Sequence, residues 1–198
     1  MKNFKHILSF SVIVVFIMLF IASASASGVY KPPMKNNSEN QFSKIINKPF
    51  DEVWDRLISY SAGTFFGIEN FEKESGLLTL SFGASNPEEY ITGGYWKVDI
   101  KVLAQKRNFE GDYVKYLSTY NKGQLIGKMN IVVVKIDSAK TKVVVNARYI
   151  FSDDTTTWSF NSGSCAEVMV ANPANGTPPT RTICPTYKAE NAILDALE

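Results

Sequence analysis

Few residues in this sequence combine the types and the spacing that catalysis requires. The only histidine, His6, lies in an apolar amino-terminal segment that we expect to be removed. Without an imidazole, the rest of the chain cannot form a Ser-His-Asp site, a Cys-His site or an imidazole metal site. We therefore predict no catalytic, cofactor-binding or metal-binding residue, and a protein that is not an enzyme.

Paired carboxylates are the remaining groups with acid/base chemistry. Asp153 and Asp154 are adjacent and could bind a cation or transfer protons. Adjacent acids before a Thr-rich strand are more typical of a turn, which is the interpretation we favour. An enzyme that uses carboxylates alone is therefore our third and least favoured hypothesis.

Cys165 and Cys184 are the two cysteines of the chain. Two cysteines in a chain bound for an oxidising compartment are typical of one disulfide bond. A redox-active or metal-binding pair is the weaker alternative, because the chain has no C-x-x-C spacing and no histidine to complete a zinc site. We predict that Cys165 and Cys184 are joined.

A tyrosine-rich stretch between two predicted strands is the most suggestive surface candidate. Tyr113, Tyr116 and Tyr120 lie here among several lysines and an arginine. Aromatic side chains in a loop can anchor a partner protein or stack on a sugar or base. The alternative, which we weigh more heavily, is a further strand or helical turn whose tyrosines pack inward.

Three parts make up the chain of 198 residues. Residues 1–26 are typical of a secretory signal: a basic start, an apolar run and small residues before a cleavage site. The apolar run is shorter than the ~20 residues of a spanning helix, so we expect removal rather than stable membrane insertion. Residues 27–44 are predicted to be an extended polar linker, and residues 45–198 a single domain.

Composition argues against several classes of partner. Removing Lys2 and Lys5 with the signal lowers the 21 basic residues to 19, equal to the 19 acidic residues. A neutral mature chain does not favour a nucleic acid or an anionic membrane as partner. We expect an exported protein, periplasmic or secreted.

Hydrophobic periodicity predicts one helix near each end of the domain and strands between them. Apolar residues recur at helical spacing from Pro49 to Ala62 and from Tyr187 to Leu197. The period is two in the segments between them, which are Phe66 to Ile68, Leu78 to Phe82, Tyr95 to Leu103, Gly127 to Ile136, Lys142 to Phe151, Thr155 to Phe160, Cys165 to Val170 and Thr180 to Cys184. Residues 155–160 and 165–170 are predicted to form a hairpin. We predict an α+β fold, with an antiparallel sheet of about seven strands and both helices packed on one face.

The two ends of the domain resemble small exported proteins of the bacterial envelope. The run from Asn47 to Leu57, followed by Lys73 to Leu78, resembles the opening of helix-grip-like domains such as the repeats of the outer-membrane assembly lipoprotein BamC. The tail from Cys184 to Glu190 looks like the closing helix of the same group. This resemblance implies a helix-grip-like fold and an accessory role, although the chain lacks a lipid-bearing cysteine and a second copy of the domain.

Two functions follow as expectations. The first is a non-enzymatic binding module that contacts another periplasmic or outer-membrane protein through a sheet face or the tyrosine-rich stretch. The alternative is a small-ligand or lipid carrier, in which Phe50, Trp54 and Trp96 line a groove between helix and sheet. Neither requires a cofactor.

Overall fold

A strand spans the boundary between the predicted signal, residues 1–26, and the predicted linker, residues 27–44. A computed structural model describes residues 25–34, 42–102, 105–171 and 173–198. Residues 1–24 of the expected signal and residues 35–41 of the expected linker lie outside the described residues. Ser25–Lys31 is a β-strand, so these residues are part of the fold rather than a tether.

Twelve strands and three helices follow one another in the described chain. In chain order they are β1 (Ser25–Lys31), β2 (Ser43–Ile46), α1 (Phe50–Ala62), β3 (Gly67–Glu72), β4 (Leu77–Ala84), a 3-10 turn (Pro87–Glu89), β5 (Ile91–Thr92), β6 (Tyr95–Val102), β7 (Gln105–Asp112), α2 (Tyr113–Tyr120), β8 (Gln124–Lys135), β9 (Thr141–Ser152), β10 (Thr157–Asn161), β11 (Ala166–Met169), β12 (Thr180–Pro185) and α3 (Lys188–Asp195). The predicted α+β class is confirmed.

The largest sheet, called here the main sheet, has the strand order β10-β9-β8-β4-β3, and β2 also pairs with β9. Its pairings are antiparallel. Buried and exposed residues alternate along β8 and β9, as a period of two requires when one face is covered. The buried set, with Met129, Ile131 and Val145 at 0% exposure, forms the inner face. The opposite set forms what we call the open face.

Helices α1 and α3 pack against the main sheet on its inner side. Helix α1 buries Val53, Trp54, Leu57 and Ser61. Arg56 of α1 donates hydrogen bonds to the carbonyl oxygens of Ala196 and Glu198 at 2.7 and 2.9 Å, which ties the end of α3 to α1. Among the described helices, none has the length and apolarity to cross a bilayer.

The prediction of one sheet of about seven strands is wrong, because the described residues form three sheets. The two smaller sheets have the orders β1-β6-β7 and β11-β12-β5. The predicted hairpin of residues 155–160 and 165–170 does not form either, since β10 pairs with β9 and β11 pairs with β12. Alternation identifies strands but does not say which neighbouring strand each one pairs with, so these pairings were not predictable from it.

The predicted disulfide between Cys165 and Cys184 is confirmed, with 4.4 Å between the two Cα atoms. The bond extends the register of β11 and β12, because Ala166 pairs with Ile183 at the adjacent position. Cys184 also pairs with Thr92 of β5. The bond therefore links the start of β11 to the end of β12, where β12 also pairs with β5 and the chain leaves for α3.

A buried carboxylate fixes α3 on the main sheet. Glu190 is 0% exposed. Its two oxygens accept hydrogen bonds from the Tyr149 hydroxyl at 2.5 Å and the Ser162 hydroxyl at 2.6 Å. Burial and the neighbouring Glu190 raise the pKa of Tyr149, which keeps the phenol protonated as a donor.

Replacing both cysteines by alanine should lower the free energy of unfolding by about 3 kcal/mol, because the open chain gains loop entropy when it unfolds. Urea unfolding of the double variant and of the disulfide-bonded parent measures the difference. A loss below about 1 kcal/mol would show that the bond does not restrain the unfolded chain as we expect.

Tyr149→Phe should cost about 2 kcal/mol, because it leaves a buried carboxylate with one donor fewer. Tyr95→Phe is the matched control, since the Tyr95 hydroxyl donates to Glu110 at 2.8 Å on the surface. Urea unfolding should show a shifted midpoint for the first variant and an unchanged midpoint for the second. Equal midpoints in both variants would contradict the role given to Glu190.

Candidate binding surface

The tyrosine-rich stretch is helix α2. Asp112 caps its start by accepting a hydrogen bond from the Val114 N–H at 2.7 Å. Helical spacing places Tyr113, Tyr116 and Tyr120 on one face, and their exposed fractions are 7%, 8% and 36%. The stretch is therefore a helix whose tyrosines pack inward, as the alternative prediction had it. Of the three rings, only Tyr120 is accessible to a partner.

The aromatic residue Trp96 packs against α2 in a cluster with a buried arginine. Its ring lies edge to face against the rings of Tyr30 and Tyr113, with ring centres 6.3 and 5.7 Å away. The Arg181 guanidinium lies 4.8 Å from the Trp96 ring centre. Sequence reasoning missed Tyr30, which falls in the expected linker, and Arg181, which no motif marks.

The three residues predicted to line a common groove lie in two separate places. Phe50 and Trp54 stack on each other along α1, with ring centres 6.0 Å apart, and Trp54 is 3% exposed. Trp96 instead lines a cavity beside Arg181. Phe50 borders a surface groove of about 690 Å³ whose wall also carries acidic and basic side chains.

The adjacent acids Asp153 and Asp154 occupy a turn. The Asp153 carboxylate accepts hydrogen bonds from the backbone N–H groups of Thr155 and Thr156 at 2.8 and 2.7 Å. Asp154 lies 3.5 Å from the Lys122 ammonium. Within the described ranges, no three His, Cys, Asp or Glu side chains converge in a way that could hold a metal ion.

Basic side chains predominate on the open face of the main sheet. The outward positions of β4, β8, β9 and β10 carry Lys128, Lys142 and Arg148, and these four strands contain no Asp or Glu. The nearest carboxylate is Glu69 of the edge strand β3, which lies 2.6 Å from the Lys128 ammonium. A chain with a nearly balanced total charge therefore carries a locally basic sheet face.

Two of these cations face each other across neighbouring strands. Lys128 of β8 is directly opposite Arg148 of β9 in the register. Like charges at opposite positions destabilise a sheet. Glu69 offsets the charge of Lys128, whereas the hydrogen bonds of Arg148 to described residues go only to the neutral Ser159 hydroxyl, at 3.3 and 3.4 Å from two of its nitrogens. Arg148 is therefore a cation whose charge is available for a partner.

The same two cations border two depressions on the open face. The larger is a groove of about 640 Å³, with Phe65, Ile126 and Ile150 among its apolar wall residues. The smaller, of about 430 Å³, is lined by amides and hydroxyls of β8, β9 and the turn after β10. Lys128 and Arg148 lie in the walls of both. Apolar, amide and cationic groups thus adjoin on one accessible surface.

Because Tyr113 of α2 is buried, we expect the protein to lose stability at high pH. Burial raises the pKa of Tyr113 to about 12, while Arg181 acts in the opposite direction. In the unfolded chain the Tyr113 phenol ionises at pH ~10. The stability that depends on neutral Tyr113 is therefore fully present below that pH and is lost as the pH rises towards 12. The loss is about 3 kcal/mol by this reasoning.

Urea unfolding at a series of pH values tests this expectation, with Tyr113→Phe as the control that cannot ionise at this position. The parent should lose more stability than the variant above pH ~10. Identical loss in the two proteins would mean that Tyr113 is accessible to solvent.

Comparisons with protein-family models, with curated proteins and with solved structures find no match to this chain. The likeness to BamC-type domains therefore stays an expectation from the two terminal runs of sequence. What the described residues establish is a disulfide-bonded α+β protein with an accessible, basic sheet face.

Proposed function

We propose that this chain is an exported, non-enzymatic binding module that contacts another envelope protein through the open face of the main sheet. The observation that carries the proposal is the basic pair Lys128 and Arg148 at the centre of that face. A like-charge pair costs stability, and an uncovered sheet face is a natural place for that cost to be offset by binding.

The positive charge of Arg148 indicates which kind of partner the open face would bind. Arg148 presents a planar set of donors that matches a carboxylate, and it has no carboxylate partner in the described part of the chain. The apolar side chains Ile126 and Ile150 lie beside it, and Asn130 and Asn146 lie on its other side. We propose that the partner offers an acidic segment with apolar residues next to its carboxylates.

Export is supported by two features that do not depend on the binding surface. The disulfide between Cys165 and Cys184 suits an oxidising compartment, and the amino-terminal sequence is of the secretory type. An accessory role in the envelope, as in the BamC-like group that the sequence resembles, suits a protein of this kind.

The alternative, a lipid or small-ligand carrier with a groove between helix and sheet, has weaker support. Trp54 is part of the core, and Phe50 and Trp96 lie in separate cavities. Charged residues, including Asp51 and Lys73, line the groove beside Phe50, which does not suit a lipid tail.

Photo-crosslinking in the native host tests the proposal. A photoreactive benzoylphenylalanine at Ile126, which is 59% exposed, should form an adduct with one envelope protein. Arg148→Glu should lower the yield of that adduct at least about fivefold, because it places a carboxylate opposite the partner's acids. Lys115→Glu is the matched control, since Lys115 is an exposed cation on α2, and it should leave the yield unchanged.

Two outcomes of this experiment would contradict the proposal. Equal losses in the two charge-reversal variants would point to general electrostatics rather than to the open face. An adduct that Arg148→Glu does not affect would contradict the proposed acidic partner.

A further inference from the structure

A second part of the molecule contains a buried cation that has no counter-ion among the described residues. Arg181 is 2% exposed, and no Asp or Glu of the described residues forms an ion pair with it. Its guanidinium carbon lies 4.6, 4.8 and 5.7 Å from the ring centres of Tyr30, Trp96 and Tyr113. Aromatic faces attract a cation but do not replace an anion, and a buried charge without one is costly.

The hydrogen bonds of Arg181 leave part of its donor set unused. One terminal nitrogen donates to the carbonyl oxygens of Pro178 and Thr180 at 2.5 and 3.1 Å, and the other donates to the Thr177 hydroxyl at 3.0 Å. A guanidinium has five N–H donors. The Nε–H and one terminal N–H therefore make no hydrogen bond within the described part of the chain.

A second unused donor lies next to the first. Trp96 is 5% exposed, and its indole nitrogen is buried without a hydrogen-bond partner among the described residues. A buried N–H that makes no hydrogen bond costs about 1–3 kcal/mol unless a ligand or water accepts from it. The indole nitrogen is itself enclosed, so we assign no ligand contact to it, and Arg181 is the donor that a ligand would meet.

The side chains of Arg181 and Trp96 border a small cavity, which is also lined by residues of β6 and α2 and by Val170, Pro173 and Ala174. Its volume is about 190 Å³. Arg181 and Trp96 form the polar wall, and the apolar wall includes Val98, Ile100 and Val170. The space would hold about six water molecules at liquid density, which is the size of a small organic acid.

We propose that this cavity is a binding site for a small organic carboxylate, whose anionic group pairs with Arg181 beside the Trp96 ring. A planar carboxylate matches the guanidinium fork and would supply the missing counter-ion. The apolar body of the ligand lies against Val98 and Ile100. This site is separate from the open face and does not depend on the function proposed for it.

Benzoate is a suitable probe, because it combines a carboxylate with a compact apolar ring. Nuclear magnetic resonance of the indole N–H groups resolves the three tryptophans of the purified chain. Benzoate should shift the Trp96 indole resonance saturably below about 10 mM and leave those of Trp54 and Trp158 in place. Benzamide, the neutral isostere, should bind at least about tenfold more weakly.

A variant at the rim of the cavity tests the location without removing the buried cation. Val170→Phe should fill the space and weaken benzoate binding at least about tenfold. Met169→Phe is the matched control, because Met169 is the neighbouring residue, is 77% exposed and does not line the cavity. Circular dichroism checks that both variants fold, and only the first should lose binding.

Four results would overturn the proposal. An unchanged Trp96 resonance at saturating benzoate would show that the site does not take an organic acid. An equal response to benzamide would show that the charge is not recognised. An equal response to inorganic phosphate would remove the apolar part of the assignment, and undiminished binding by folded Val170→Phe would place the site elsewhere.

Discussion

The constraint on which the rest of the structure depends is the two-residue period of the long pair β8 and β9. Each strand is 12 residues long, and its inward side chains are nearly all buried. Those side chains must be covered, and α1 and α3 cover them. The outward side chains are not sealed in this way, so the same alternation that builds the core also creates an accessible sheet face. The binding face that we propose is therefore a consequence of the same alternation that builds the core.

Two buried ionisable side chains, Glu190 and Arg181, have different kinds of partner. Glu190 receives two short hydrogen bonds, from Tyr149 and Ser162, and so joins α3 to the main sheet. Arg181 has three aromatic rings and neutral oxygen acceptors around it but no carboxylate among the described residues. Both oxygens of Glu190 have hydroxyl donors within the protein, whereas two N–H groups of Arg181 have no acceptor among the described residues. We therefore assign a ligand to Arg181 and only a structural role to Glu190.

Local sequence patterns were sufficient for the elements that close the core. The apolar stripe from Phe50 to Ile58 gave α1, and alternation gave β4, β8 and β9, because side-chain direction in these elements depends on spacing alone. The presence of two cysteines in a chain expected to be exported predicted the disulfide. Helix α2 was harder, although Tyr113, Tyr116 and Tyr120 already had the spacing of a helix face.

Long-range pairing is what the sequence did not reveal. Ser25–Lys31 consists largely of small residues, which suit a cleavage region as well as they suit a strand, yet it pairs with β6 and brings Tyr30 to Arg181. The partners of β10 and β11 are their neighbours in the sequence, β9 and β12, but alternation does not distinguish these pairings from a β10–β11 hairpin. The Arg181 cluster was not visible, because Tyr30, Trp96 and Arg181 lie far apart in the chain.

Hydroxyl-radical footprinting of the protein, purified and in its native envelope, tests the central claim most directly: one face of the main sheet is sealed and the other receives a partner. Ile126 is 59% exposed and Met129, three residues away on the same strand, is 0% exposed. We expect Ile126 to be oxidised in the purified protein and protected in the envelope, with Met129 protected in both. Rapid oxidation of Met129 in the folded protein, or equal oxidation of Ile126 in both settings, would contradict the claim.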